Sequence, residues 1–344
     1  MRQNPSYVLQ KTIWDLLIIC SLAEALWAGY NTRKFRDQSE GVMKRFLQVF
    51  SAFLALSFSA AYAQPSYVGA DKCGKCHKAS FDVWKGTKHH SSFKKIHKNK
   101  IAKKIVKSIG EKRMKKSATC ATCHYTVVQK GKKLKPISGP SCESCHGPAS
   151  EWIAVHNNYG GPGAKRTTET AEHKAKRKKA AADAGMIWPS MIFDVASNCM
   201  SCHGLANPKL SGEHASKMLA NGHPLNPNFE LTKYYNGSVR HRFYPPDVTK
   251  NKELTRPEMA RLYLVGQAAA LVSATAAIAK TDDPKYTAAQ KKRISFAREI
   301  LSKVPEAAEI LKTPTMDAGR QFADAIRGKD FTALVGSRLP TSFK

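Results

Sequence analysis

The stretch Cys73-Gly74-Lys75-Cys76-His77 decides the fold, because the chain repeats its pattern at Cys120, Cys142 and Cys199. Cys-x-x-Cys-His is the attachment signal for c-type haem. Its two thiols bond to the porphyrin vinyl groups, and the adjacent histidine becomes an axial ligand of the iron. A single copy could also be a redox pair or a zinc pair. Four copies, which use eight of the nine cysteines, predict four covalently bound haem c groups.

The four motifs identify the residues expected to hold these groups. The porphyrins are expected on Cys73, Cys76, Cys120, Cys123, Cys142, Cys145, Cys199 and Cys202. The irons are expected on His77, His124, His146 and His203. The other histidines are candidates for the opposite side of each iron, where a second imidazole would give low-spin haem suited to electron transfer. A methionine there would raise the potential, but a methionine is more often a packing residue.

The chain is strongly basic, with 56 Lys and Arg against 26 Asp and Glu and a formal net charge of +30. Four haems would bring about eight propionates, so a basic excess would remain. This charge favours an acidic redox-partner protein or an anionic membrane surface. Nucleic acid is not expected as a partner, because no nucleic-acid-binding motif is present.

An export signal is expected over residues 43–63. Met43-Lys44-Arg45 forms a short basic start, residues 46–58 are apolar, and Ala61-Tyr62-Ala63 provides a small-residue cleavage site. The mature chain would then begin at Gln64 and reside in the periplasm, which agrees with the attachment of haem outside the cytoplasm.

Residues 1–42 precede this signal and have two interpretations. The first is an upstream mis-assignment of the start codon, with Met43 as the true start. The second is a weak membrane anchor over residues 12–30. That segment is short and contains Asp15 and Glu24, which are costly at bilayer depth, so the first interpretation is favoured.

The remaining sequence predicts a mainly α-helical fold with few strands. Residues 64–250 are expected to form a tetrahaem domain of helices and loops wrapped around the haems, and residues 251–344 a helical C-terminal region. Thr255 to Glu258 is a capping box that opens an alanine-rich helix. Thr287 to Gln290 is a second capping box, which predicts the start of another helix. Arg261 and the many alanines of the first helix favour packing in a bundle over a membrane span.

Two stretches carry a family resemblance. The run Trp84 to His89 and the run Cys142 to Pro148 resemble the tetrahaem cytochrome c-554 family, and the similarity extends over about residues 67–225. Known members accept electrons from hydroxylamine oxidation in ammonia-oxidising bacteria. The resemblance implies that His89 ligates the fourth haem and that His156 ligates the first.

The resemblance leaves the ligands of the other two haems open. For the third haem, His223 is the first choice and His241 the second. The family's second haem lacks a protein ligand on one side and is five-coordinate, which would allow it to bind a small molecule such as nitric oxide. Alternatively, His241 or His97 fills that position. The other histidines, His90, His173 and His214 together with His97, are expected to be exposed.

The predicted function is that of a periplasmic cytochrome carrying electrons between protein partners through stacked, mostly bis-His haems. Motifs two and three lie close together in the sequence, so their haems are expected to be neighbours. Two alternatives remain. One is an enzyme that reduces or oxidises a small nitrogen or sulfur compound at a five-coordinate second haem. The other is a subunit of a haem filament, in which one distal histidine comes from a neighbouring subunit.

Overall fold

Short helices joined by turns make up the first part of the structure, and longer helices make up the last. The computed structural model describes residues 65–131, 133–245 and 247–343. The predicted export signal and the upstream segment lie outside these residues. Within them the chain forms 15 helices and one small two-stranded sheet, so the predicted mainly α fold class is confirmed.

The helices of the first part have mostly one to three turns, and several of them begin at a side-chain cap. Thr87, Asn99, Ser117, Thr170 and Ser211 each accept a hydrogen bond from a backbone N–H of the helix that follows. In chain order the helices are α1 Ala70–Gly74, α2 Lys78–Lys85, α3 Lys88–Lys95, α4 Lys100–Ser108, α5 Ala118–His124, α6 Cys142–His146, α7 Ala171–Asp183, α8 Ile192–His203, α9 Gly212–Ala220 and α10 Leu231–Tyr235.

A β-hairpin separates the second and third motifs. Strands β1 Thr126–Lys130 and β2 Lys133–Ser138 pair in antiparallel register, with Thr126 opposite Ser138. Gly131 lies in the turn with a φ of 57°, a conformation that glycine adopts without steric cost. The hairpin folds the connection back on itself, and the Thr126 hydroxyl donates to the carbonyl of Gly139 at 2.9 Å.

The C-terminal region is a helical bundle, formed by α11 Arg256–Ala277, α12 Pro284–Leu301, α13 Ala308–Lys312, α14 Met316–Ala325 and α15 Thr332–Val335. The predicted capping box of α11 is confirmed, because Thr255 and Glu258 each accept a hydrogen bond from the backbone N–H of the other. The predicted start of α12 is wrong. Asp283 caps that helix instead, and Pro284 occupies its first turn, where the missing N–H costs nothing.

Helix α11 is the centre of this bundle. Of the described helices, it alone is long and apolar enough to cross a membrane, yet 72% of its apolar window is buried inside the folded chain. It packs against α12, α8, α14 and α10. Its predicted position within a bundle is therefore confirmed.

The core of the bundle extends beyond the C-terminal region. Phe193, Ala196 and Met200 of α8 belong to the same buried cluster as α11. Asp194 of α8 also accepts from the Arg320 guanidinium of α14 at 2.7 Å. Because α8 ends in the fourth Cys-x-x-Cys-His motif, the bundle supports that motif directly. The regions predicted before and after residue 250 thus share one hydrophobic core.

The packing of α14 on α8 provides a stability test. A Cβ added to Gly319 would lie 1.9 Å from Cζ of Phe193, whose ring is almost fully buried and cannot move aside easily. We expect Gly319→Ala to lower the free energy of unfolding by about 1–3 kcal/mol, despite the better helix propensity of alanine, because overpacking outweighs it. Urea denaturation measures this change.

The control is Gly336→Ala, because a Cβ at Gly336 would meet only ordinary contacts at 3.4 Å or more. It should leave the stability nearly unchanged. Equal effects of the two substitutions would contradict the packing described here.

Candidate haem-attachment sites

Each Cys-x-x-Cys-His motif lies at the end of a short helical segment. The second, third and fourth motifs form the last residues of α5, α6 and α8, and the first follows from α1 into the start of α2. In a helix, residues three and four positions apart lie on one face. Both cysteines and the histidine of the second, third and fourth motifs therefore lie on one side of their helix, as attachment to one flat macrocycle requires.

The histidine of every motif faces one other histidine. The distances between ring centroids are 6.3 Å for His77 and His156, 6.0 Å for His124 and His223, 6.1 Å for His146 and His241, and 6.1 Å for His203 and His89. Within the described residues, no group of three or more His, Cys, Asp or Glu side chains forms a separate metal site.

These distances suit two imidazoles on opposite sides of one metal ion. An imidazole nitrogen binds a transition metal at about 2 Å and lies roughly 1.1 Å from its own ring centre, so two axial rings have centroids about 6 Å apart. The centroid separations of all four pairs thus match the value for two imidazoles on one metal ion.

Backbone carbonyls orient several of these rings. Nδ1 of His146 donates to the carbonyl of Ile187, Nδ1 of His156 to that of Ile153, and Nδ1 of His223 to that of Pro224, each at 2.8 Å. Nδ1 of His241 donates to the carbonyl of Val239 at 2.7 Å. Such a bond fixes the tautomer and leaves Nε2 as the free ligand atom.

Several of the rings have a lowered pKa, which favours the neutral form that metal ligands must have. Burial lowers the pKa of His124 and His203 to about 4, and a nearby histidine contributes in each case. Burial likewise lowers the pKa of His77, His89 and His146. None of these rings needs to lose a proton before it can bind a metal.

The pairing of rings at the second and third motifs differs from the order of ligands expected from the sequence. The first choice for the third motif was His223, but its ring faces His124 of the second motif, and His241 faces His146 of the third. The second motif therefore has a facing imidazole, contrary to what the family resemblance implied. His97, the other alternative, makes no ring contact with His124 among the described residues.

The end of helix α9 explains the position of His223. Gly222 has a φ of 92°, and the N–H of His223 bonds back to the carbonyl of Met218 at 2.9 Å. This is the arrangement by which a glycine terminates a helix and reverses the chain. Met218 packs in the same buried cluster as Cys120 of the second motif. The hooked helix end thus carries His223 to the second motif.

The remaining histidines are half-buried rather than exposed as expected, and several have other partners. Nδ1 of His173 donates to Glu169 at 2.9 Å, and Nδ1 of His214 shares a hydrogen bond with the Thr119 hydroxyl at 2.9 Å. The ring of His90 meets the Trp84 ring edge-on, with centroids 4.6 Å apart. These contacts explain the positions of three of the four histidines without a bound metal.

Contacts between cysteines give the order of the motifs in space. Cys73 of the first motif lies beside Cys142 of the third, Cys145 of the third beside Cys199 of the fourth, and Cys202 of the fourth beside Cys123 of the second. The contact order is therefore one, three, four, two. The expected proximity of the haems on motifs two and three stays a prediction.

Two charged side chains at the site were not anticipated from the sequence. Glu143, between the cysteines of the third motif, is 1% exposed and accepts from the backbone N–H groups of Val68, Gly69 and Ala149 at 2.8–2.9 Å. Burial raises its pKa, although the three N–H donors act in the opposite direction. Its position between the cysteines of the third motif is the sequence feature that could have identified it. It fastens the segment before α1 to the third motif.

The second is Arg177 of α7, a helix rich in lysine. Its guanidinium is buried, contacts both carboxylate oxygens of Glu169 at 2.6 Å and donates to the carbonyl of His156 at 2.5 Å. It also lies over the ring of Tyr159. The pair thereby holds the backbone of the histidine that faces His77.

Four attachment motifs with facing histidines define a c-type cytochrome, a class that carries covalently bound haem c. A family profile described as "Cytochrome c554 and c-prime" matches residues 72–147. Cytochrome c-554 of Nitrosomonas europaea is 30% identical over 159 residues, which represent 44% of this chain and 63% of that protein.

The chain resembles the cytochrome c-554 family, as its motifs predict, and the family profile covers residues 72–147. It spans less than two thirds of the length of this relative. No solved structure matches the chain.

The pair formed by Glu169 and Arg177 predicts a pH dependence. The guanidinium lowers the pKa of Glu169 to about 2, so the ion pair stabilises the fold above the usual carboxyl pKa of about 4.5 and is lost as the pH falls toward 2. We expect Glu169→Gln to have a lower Tm than the native protein at pH 6, and the two Tm values to converge below pH 4.5. Thermal melting across this range measures both.

The control is Glu172→Gln, because Glu172 forms an exposed pair with Lys176 on the same helix. Exposed pairs contribute little. A constant difference in Tm between Glu169→Gln and the native protein at every pH would show that the carboxylate is not involved.

Proposed function

We propose that the chain is a periplasmic tetrahaem cytochrome that carries electrons between protein partners, with each iron held by two histidines. The observation that carries this proposal is the set of four facing imidazole pairs, each about 6 Å across. Haem supplies an iron that takes up and releases one electron. The residues proposed to hold it are the eight motif cysteines and the four histidine pairs.

The histidines have a defined task in such a carrier. Two imidazoles would hold each iron, so the ligand set would stay the same in both oxidation states and little rearrangement would oppose electron transfer. The carbonyl that accepts from Nδ1 keeps the ring at its angle. These features favour a carrier over an enzyme.

The second motif decides between these two functions. An enzyme acting on a small molecule needs an open iron position, and the second motif was the expected place for one. His223 lies across from His124 with centroids 6.0 Å apart, at the distance of a second ligand. We therefore propose a six-coordinate second haem, which leaves the enzymatic alternative without support. The filament alternative also loses its basis, because each motif histidine faces a histidine of its own chain.

The contact order of the motifs supports a continuous electron path. Cysteines of the first and third, third and fourth, and fourth and second motifs touch. Macrocycles bonded to touching residues would lie close together. We propose that electrons pass along the order one, three, four, two.

The proposed partner is an acidic redox protein. Helix α4 presents Lys103, Lys104 and Lys107 to solvent, and none of them has a carboxylate partner within the described part of the chain. Ile101 on the same helix is 52% exposed, which adds an apolar contact to the cationic face. A cationic surface speeds the approach of an acidic protein by electrostatic steering. The predicted export signal at residues 43–63 supports a periplasmic location.

Replacing His223 tests the ligand assignment. The native protein should contain four haems by pyridine haemochrome assay, give wholly low-spin optical and EPR spectra, and bind no carbon monoxide when reduced. We expect His223→Ala to convert one haem to the high-spin form and to bind one equivalent of carbon monoxide, because an axial position opens.

His97→Ala is the matched control, since His97 was the alternative ligand of the same haem. It should leave the spectra unchanged. High-spin signal in the native protein, or a spectral change with His97→Ala in place of His223→Ala, would overturn the assignment.

Salt dependence tests the partner surface. Stopped-flow reduction by a reduced, acidic flavodoxin should become slower as the ionic strength rises, since exposed charges are screened over about 8–10 Å. Changing Lys103, Lys104 and Lys107 together to Gln should lower the rate constant at low salt and flatten this dependence.

The control changes Lys285, Lys291 and Lys292 to Gln, three exposed residues of α12 that alter the net charge equally. It should have a smaller effect. Equal effects of the two triple variants would mean that net charge, rather than α4, governs the approach.

A further inference from the structure

The bundle contains a buried cation with no carboxylate partner among the described residues. Arg293 of α12 is 5% exposed, and its guanidinium donates to the side-chain oxygens of Gln290 and Ser273, both at 2.7 Å. Buried charges are usually paired with an opposite charge. Burial lowers the pKa of Arg293 to about 10, so the group still carries its proton near neutral pH.

This cation lies against the fourth attachment motif. Gly204 follows His203 directly, and a Cβ added there would lie only 2.2 Å from Nη1 of Arg293. Gln290 donates to the carbonyl of Gly204 at 2.9 Å, and the Tyr286 hydroxyl donates to that of Leu205 at 3.0 Å. Helix α12 therefore fixes both the backbone after His203 and the position of the charge.

A second cation from the same region lies near the second motif. The ammonium group of Lys280 donates to the carbonyls of Asn207 and Leu210 at 2.5 and 2.9 Å, and its charge acts on Cys123 of the second motif. Near the first and third motifs, at the other end of the contact order, the acidic residue Glu143 takes the place of these basic residues. Glu143 lies within the third motif, and its charge also acts on Cys73 of the first.

A fixed positive charge stabilises whichever oxidation state of a nearby group carries less positive charge. Reduction of a haem adds one electron, so a nearby cation favours the reduced state and a nearby anion favours the oxidised state. The effect is large where solvent cannot screen the charge, which is the case for Arg293.

We propose that Arg293 raises the reduction potential of the haem on the fourth motif, so that the C-terminal bundle directs electrons from the first and third motifs toward the fourth. This inference rests on the proposed tetrahaem function and adds to it a direction of electron transfer. Arg293 acts as a positioning and tuning residue, because it touches the backbone beside His203 rather than the haem ligand itself.

Spectroelectrochemical titration of the intact, haem-loaded protein, followed by EPR, tests the proposal. Replacement of Arg293 by Met keeps the length of the side chain and removes the charge. We expect the reduced-to-oxidised ratio of one haem to fall about tenfold or more at a fixed potential, which equals a downward shift of about 59 mV for a one-electron couple. His89→Met identifies the fourth haem, because a Met ligand moves its potential upward.

Three further variants keep the test decisive. Arg293→Lys retains the charge and should retain most of the potential. Ser273→Asp places a carboxylate beside the guanidinium and should lower the same potential without removing Arg293, which covers the case in which Arg293→Met does not fold. Lys292→Gln removes an exposed charge from the same helix and should shift no potential measurably.

The outcomes separate this inference from the proposed function. Four low-spin haems with unchanged potentials in both Arg293→Met and Ser273→Asp would overturn the role of Arg293 and leave the tetrahaem carrier intact. A haem count below four, or high-spin haem in the native protein, would overturn the proposed function itself. A shift in a haem other than the fourth would also contradict the assignment.

Discussion

The separation of about 6 Å between paired imidazoles is the constraint on which the remaining structure depends. The two members of each pair come from distant parts of the chain, so short-range helix formation alone cannot produce them. The helices that end in the motifs present one ring, and turns, caps and packed helix ends must bring the other to within a narrow range of distance and angle. Glu143, Arg177 and the glycine turn after α9 all serve this requirement, because each fixes a segment that carries or supports a ring.

The sequence was sufficient to predict the part of this arrangement that local chemistry determines. The attachment motifs, the helical C-terminal region and the capping box at Thr255 follow from patterns a few residues long. The rings that face His77 and His203 are those that the offsets shared with a family indicate, and their role as ligands stays a prediction. The rings that face His124 and His146 could not be indicated in this way, because they depend on how α9 packs and on how its end reverses the chain. The start of α12 was predicted wrongly for a related reason. Asp283 caps the helix and Pro284 occupies its first turn, so the helix begins before the predicted capping box at Thr287.

The buried charges could not be predicted, because burial is a property of the packed fold. Arg177 belongs to a lysine-rich helix whose composition indicates a solvated surface, and Arg293 lies in a helix with many exposed cations. Only the contacts with His156 and Gly204 separate these two residues from their neighbours. In a protein that binds several prosthetic groups of one kind, such single charges are a means of making chemically identical sites different.

The shared core of α8 and α11 has a consequence for how the protein is made. A chain that crosses a membrane from its N-terminus presents the motifs before the C-terminal helices, so α8 emerges without the surface against which its apolar face packs. The motifs would then meet the haem-attaching machinery while they are still unfolded and accessible. In an exported chain the bundle would close last, and its arrival would seal the cofactors in place. The C-terminal helices, which contain no motif, would in this way separate cofactor loading from folding in time.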